Sequence, residues 1–284
     1  MVLENQLLPV ALLDNPKIHR NGKHKVQQFG IPKKKEPPKP LISIVIPAYQ
    51  EEKLIEKNLI YLTENHKSKY NYELIVSDGG STDRTVEISM KYADITVMHN
   101  SNDRQNISQG RNRGAERANG DIFVFLNADS IPADLDTFFD FIIKWHSGDS
   151  EYSDAAAFAC CVRSMPDEEI FKDKVFYFIH NSYVRLLNSF GLGMGRGECQ
   201  IVRKDLFNRI GGYNETIFAG EDFDLYRRIS KIGRVHYVKE LKICESPRRF
   251  RKYGYLKIII SWTLNALSVW LYGRSVAKEW EPVR

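Results

Sequence analysis

Three apolar runs, each ending in a polar turn, constrain this chain more than any other feature. Leu41–Pro47 ("LISIVIP"), Tyr72–Ser77 ("YELIVS") and Ile122–Leu126 ("IFVFL") are short and rich in β-branched or aromatic residues. They read as strands buried on both faces, and Ile95–Met98 as a shorter one. Helical spacing fills the intervals at Glu51–Thr63, Ser81–Tyr92 and Asn106–Ala118. Strand and helix in alternation, with short connections, predict an α/β, mostly parallel sheet with helices on both faces. Ligands of such sheets bind at the carboxyl ends of the strands. The polar motifs fall there: "PAYQEE" after the first run, "SDGGSTD" after the second and "NADS" after the last.

The second half is less regular. A helix is expected over 168–190, then the glycine-rich "GLGMGRGEC", a strand at Gln200–Arg203 and a helix closed by Gly211-Gly212. "FAGEDFDLYRRI" starts another helix, "ESPRRFRKYG" reads as a basic loop, and residues 254–272 form an apolar C-terminal helix. The glycines at 191, 193, 195 and 197 repeat every second residue, which does not match the dinucleotide-binding G-x-G-x-x-G. That run reads equally as a flexible loop or as a lid over a site. On the C-terminal helix, Lys257, Ser261, Asn265, Ser268 and Tyr272 make one narrow polar stripe. The remaining circumference must be buried against the core, a second subunit or a membrane interface.

Charge is unevenly placed. The 284 residues carry 41 Lys or Arg and 36 Asp or Glu. Residues 1–40 hold eight basic residues against three acids, so the excess of +5 sits entirely there. This Pro-rich arm lacks apolar periodicity and is expected to be flexible. It lacks the apolar core of a secretory signal, and no nucleic-acid partner is expected. The four cysteines (160, 161, 199 and 244) have no zinc-ligand spacing, and the adjacent pair makes a poor disulfide. Reduced thiols and a cytoplasmic location follow, with contact at the inner membrane face left open. The expected organisation is an arm (1–40), a main domain (41–250) and the C-terminal helix and tail (251–284). The main domain divides into a regular half (41–132) and a less regular half (133–250).

Individual residues suggest chemistry. Ser81 reads as a helix N-cap and Asp83 as a first-turn acid, but capping does not account for Asp78, which precedes the glycines. A carboxylate there can accept from a base N–H or a ribose hydroxyl. Glu221 and Asp222 begin a helix, a bland placement beside its dipole. Neighbouring carboxylates also raise one another's pKa, which suits a general base. Asp224 and Arg228 form an ordinary i, i+4 pair.

"IPAYQEE", "SDGGSTD", "RNRGAERANGDIFVFLNAD" and "IVRKDLFNRIGGYNE…GEDFDL" occur in this order, and together the chain resembles the family 2 glycosyltransferases of the GT-A fold from Leu41 to Arg249. The resemblance implies a GT-A, Rossmann-like sheet, a nucleotide-sugar donor, Mg²⁺ or Mn²⁺, and transfer with inversion to a carbohydrate or lipid-linked acceptor. Carried over by position, Pro47, Ala48, Tyr49 and Glu51 border the nucleoside, and Asp78 and Gly79 meet the base or ribose. Arg113 lies near the nucleotide. Asn127, Ala128 and Asp129 fill the Asp-x-Asp positions, with Asp129 the metal ligand and His236 a further candidate ligand. Arg248 and Arg249 close over the diphosphate. Gly197, Glu198 and Glu221 lie on the acceptor side, and Asp222 is the catalytic base. Asn127 departs from the family's aspartate: its amide keeps a ribose contact but supplies no charge. One carboxylate with the donor diphosphate meets the minimum for Mg²⁺ or Mn²⁺. Asn127 also keeps open a catalytically silent GT-A domain that binds nucleotide or a protein. A nucleotidyltransferase would want a basic loop after the first strand. Membrane contact through the basic loop and C-terminal helix, or a homo-oligomer, would cover the apolar surface.

Overall fold

β1 (Ile42–Ala48) carries no charged residue, and Ile42, Ile44, Val45 and Ile46 are fully buried, so it needs a strand on either side and protein on both faces. It pairs in parallel with β2 (Tyr72–Asp78) and β4 (Ile122–Leu126), and β2 pairs in parallel with β3 (Ile95–Met98). The crossovers are α1 (Ile55–Thr63), α2 (Thr85–Tyr92) and α3 (Ile107–Glu116). These come from a computed structural model that describes residues 41–63, 66–99, 104–277 and 283. The basic arm lies outside the described residues. The described residues from Leu41 onward belong to one compact unit.

The second half extends the same sheet. It contributes β5 (Ser130–Pro132), α4 (Leu135–Ser147), β6 (Ala155–Ser164), α5 (Phe171–Ser189), β7 (Cys199–Arg203) and α6 (Lys204–Arg209). α7 (Glu221–Ile229), β8 (Arg234–Glu245), α8 (Arg248–Tyr253) and α9 (Tyr255–Tyr272) follow. The described strands form one eight-stranded sheet in the order β3-β2-β1-β4-β7-β6-β8-β5. The first four strands are parallel, as expected. β7 then runs antiparallel to both β4 and β6, and β5 antiparallel to β8, so the sheet as a whole is mixed.

Several expectations change. α1 and α2 each begin four residues later than their periodicity suggests. Ser81 caps neither: its hydroxyl accepts the Gln50 N–H at 2.9 Å and ties the first two turns together. Asp83 accepts the Thr85 N–H at 3.0 Å. "SPRRFRKYG" is not an open loop, because Arg248–Tyr253 coil into α8 and bury Phe250. The glycine run packs tightly against α7. A Cβ on Gly193 would lie 2.4 Å from the Tyr226 carbonyl, and one on Gly195 2.1 Å from the Tyr226 ring. Such close packing clamps the segment to α7.

α9 buries less of its apolar circumference than expected: Ile258 and Val269 are buried, while Lys257, Ser261 and Tyr272 of the polar stripe stay exposed. Asn265, at the centre of the polar stripe, is buried, and its Oδ1 accepts the N–H groups of Val276 and Ala277 at 3.0 Å each. Leu256, Ile260, Leu264 and Leu271 face outward. Internal capping of the chain after the helix decides the rotation, since an unsatisfied buried backbone N–H is costly.

Candidate active site

The register of the sheet brings the three polar turns to one edge. Ala48 pairs with Asp78, and the Gly79 N–H donates to the Ala48 carbonyl at 2.8 Å. β4 ends beside them at Asn127, whose N–H donates to Glu198 O at 3.1 Å. A cavity of about 810 Å³ opens at this edge. Pro47, Ala48, Tyr49, Glu51, Gly79, Asn127, Ala128 and Asp129 line one part of it, and Gly197, Glu198, Glu221 and Asp222 another. Arg248 and Arg249 line it from α8.

Asp78 sits just behind that lining. One carboxylate oxygen, Oδ2, accepts the Gly80 and Ser81 N–H groups at 2.8 Å each, while buried Oδ1 has no partner among the described residues. A buried acceptor without a donor is unfavourable unless a ligand completes it. The geometry therefore fits a base N–H or a ribose hydroxyl.

Arg111, rather than the Arg113 expected near the nucleotide, is the arginine of α3 that lines the cavity. Arg111 is fully buried. Its Nη1 donates to Glu221 Oε1 at 2.8 Å, and its Nη2 donates to Gly197 O at 2.8 Å and to Asn127 Oδ1 at 3.0 Å. One guanidinium thus joins the end of β4, the glycine segment and the start of α7. Arg113, two residues on, does not line the cavity; it binds His99 and donates to Gln105 Oε1 at 2.9 Å. Successive helical residues point about 100° apart, so only one arginine of "RNR" can face this site. Sequence reasoning also missed Arg104, which stacks on Tyr49 with its guanidinium carbon 4.6 Å from the ring centre.

Asp222 has the properties of a base. It lines the cavity, and its Oδ1 accepts the Phe223 N–H at 2.8 Å. Burial first, and then the neighbouring Glu221 carboxylate, push it up to about 7. A Cβ on Gly197 would stand 3.7 Å from Asp222 Oδ2, so the missing side chain leaves space beside the base. Glu198 is held by Arg196, whose Nη2 donates to it at 2.7 Å and Nε at 3.1 Å. Arg196 also donates to Glu245, which accepts the Tyr177 hydroxyl at 2.9 Å.

Asp129 faces Arg248, whose Nη2 lies 3.2 Å from its Oδ2 and 2.8 Å from both Glu51 oxygens. Asn127 Oδ1 is used by Arg111, leaving Asp129 as the anionic oxygen of this turn. A Mg²⁺ or Mn²⁺ ion bound mainly by a diphosphate and water needs no more than that. The residues fit such an ion, although no group of three metal-ligating side chains stands together among the described residues. His236 takes no part. It lies nine positions before the end of β8, on the order of 30 Å at strand rise, with its Nε2 3.1 Å from Asp154 Oδ1.

The far arm of the cavity is apolar. Phe176, Ile179, His180 and Tyr183 of α5 face Ile259, Trp262 and Ala266 of α9. His180 stacks on Trp262 with ring centres 5.4 Å apart, and burial, then the Arg196 charge, holds its imidazole down to about 3 and neutral.

Parallel strands ending in an acidic turn, with antiparallel strands beyond, define a GT-A fold. Solved structures agree. A mannosyltransferase from Pyrobaculum calidifontis in complex with GDP-Man and Mn²⁺ superposes with TM-score 0.56 at 21% identity, over 73% of this chain and 57% of that one. Glucosyl-3-phosphoglycerate synthase from Mycobacterium tuberculosis, in complex with Mn²⁺, UDP-Glc and phosphoglyceric acid, gives 0.51 at 17% identity, over 82% of this chain and 79% of that one. The profile of glycosyl transferase family 2 matches residues 43–211, more than half of the sequence, and the chain belongs to that family. Among curated relatives, a dolichyl N-acetyl-alpha-D-glucosaminyl phosphate diacetamido-dideoxy-glucuronosyltransferase of Methanococcus voltae is 35% identical over 95 residues, 32% of this chain and 30% of that protein. The dolichol-phosphate mannosyltransferase of Pyrococcus furiosus is 35% identical over 92 residues, 31% of this chain and 25% of that protein. The match spans under a third of the length of these relatives.

Proposed function

We propose that this protein is an inverting glycosyltransferase that moves a sugar from a nucleotide-sugar donor to the hydroxyl of a lipid-linked acceptor. The observation that carries the reading is a single cavity lined by both Asp129 and a base-like Asp222, with an apolar arm beyond them. The nucleoside sits against Tyr49, Asp78 and Gly79, and the diphosphate between Asp129 and the guanidinium groups of Arg248 and Arg249. Asp222 takes the proton from the acceptor hydroxyl. The acceptor oxygen bonds the anomeric carbon from the face opposite the diphosphate. The anomeric C–O bond then breaks, and its electron pair leaves on the diphosphate. Mg²⁺ or Mn²⁺, held by Asp129 and the donor, would neutralise charge on that leaving group. Arg248 and Arg249 stabilise the same charge through hydrogen bonds.

The relatives named for dolichyl and dolichol-phosphate chemistry support a lipid-linked acceptor, as does the aromatic arm between α5 and α9. In this reading the protein works at the cytoplasmic face of a membrane, which its four free thiols support. A thermal-shift series with UDP-, GDP- and dTDP-sugars, with and without Mn²⁺, tests it. One nucleotide class is expected to stabilise the protein, by about 2.7 kcal/mol at a hundred times its Kd. No shift with any of them would leave a silent domain that binds other proteins.

A further inference from the structure

We propose that the outer faces of α5 and α9 form a docking surface for an anionic lipid bilayer, with the apolar arm of the cavity opening onto it. Phe171 and Phe178 of α5 are 78% and 74% exposed, and Leu256 and Leu271 of α9 are 71% and 58% exposed. Isolated exposed apolar residues are ordinary, but two helices that both present apolar stripes are not. The helices flank one opening, since Trp262 of α9 packs on Phe176 and His180 of α5 at 6.3 and 5.4 Å between ring centres.

Charge selects the occupant. Lys172 and Arg185 of α5, Arg251 and Lys252 of α8, Lys257 of α9 and Arg274 are exposed around the apolar stripes. Residues 246–277 contain no Asp or Glu at all. The only acid of α5, Asp173, is buried and accepts from Arg251 at 2.9 Å. Asp167 and Glu168, exposed just before α5, are the acids at this edge, and Glu169 pairs with Lys174 at 3.4 Å, so the rim around the stripes stays basic in balance and matches anionic headgroups above acyl chains. A second copy meeting the same patch across a two-fold axis would set like charges together. No helix among the described residues is long and apolar enough to cross a membrane, so these helices would lie on the surface. Bilayer docking extends the lipid-linked acceptor reading and rests on it for what enters the cavity.

Co-sedimentation with vesicles of phosphatidylcholine, with and without phosphatidylglycerol, tests the surface. The wild-type chain is expected to bind the anionic vesicles about tenfold more tightly, and less tightly as salt rises. The double variant Phe178→Glu, Leu256→Glu changes two exposed side chains outside the cavity. It is expected to lose vesicle binding and keep its thermal shift with nucleotide. Absent vesicle binding by the wild type, or equal binding by the variant, would overturn docking. So would a dimer in light scattering that the same variant dissolves, without vesicle binding. Failure of the glycosyltransferase reading looks different: vesicle binding persists and no nucleotide shifts the melting point.

Discussion

At Asn127 the missing carboxylate is answered by a cation already in place. Arg111 donates to Asn127 at 3.0 Å while it pairs with Glu221 at 2.8 Å, and both partners lie next to Asp222. A carboxylate at 127 would add negative charge near a base that burial and Glu221 already hold at about 7. Negative charge nearby makes a carboxyl harder to ionise, so Asn127→Asp is expected to move the acidic limb of kcat/KM to higher pH. A pH profile of the variant checks this; an unchanged or lowered limb would count against the arrangement. Arg248 has a related place. With its Nη2 3.2 Å from Asp129, it would have to be displaced by a metal ion bound to the same carboxylate. Arg248→Ala is expected to tighten Mn²⁺ binding to the donor-free protein by roughly fivefold or more. Electron paramagnetic resonance of free Mn²⁺ measures it without any turnover.

Among the elements, the glycine segment before β7 and the start of α7 fix one wall of the cavity together. Tyr226 is buried, and its hydroxyl donates to the Phe158 carbonyl at 2.5 Å, so its ring cannot withdraw from a new methyl group. Gly195→Ala is therefore expected to cost about 1–3 kcal/mol or more, read from urea unfolding. Unchanged stability would mean that the segment can move as a lid after all. The parallel half was legible because strands buried on both faces need continuous apolar runs, as in "LISIVIP" and "IFVFL". β6 was not, because "AAAFACC" is buried between β7 and β8 by its place in the sheet and not by strand propensity. Of β8 only a short strand around His236 was legible, because the β6/β8 register slips twice and breaks the alternation that would mark its full length. Motif position was enough to put Asp129 and Asp222 in one cavity lining. Choosing Arg111 over Arg113 required the helix's rotation, which short polar periodicity does not define. The rotation of α9 depended on Asn265 capping a segment eleven residues onward, a contact invisible to a helical wheel.

Over the whole molecule, placing a carboxylate of raised pKa in the cavity opposes stability. Asp222 binds its proton up to about 7, against 3.8 for the free side chain. Between those values the folded state holds a proton that the unfolded chain releases. The stability this gives is complete below the unfolded value and is lost as pH rises through the folded one. Asp222→Asn, which cannot ionise, is expected to melt above the wild type at pH 8, with the difference shrinking toward pH 5. A site bought with stability in this way is a usual feature of enzymes. The same variant tests the central claim, that Asp222 is the base of a sugar transfer. With the nucleotide sugar identified by thermal shift, Mn²⁺ and a lipid-linked acceptor, initial rates of nucleoside diphosphate release would be compared for wild type and Asp222→Asn. A loss of about 10²–10⁴-fold with nucleotide binding intact is the expected result, and transfer at the wild-type rate would contradict the account.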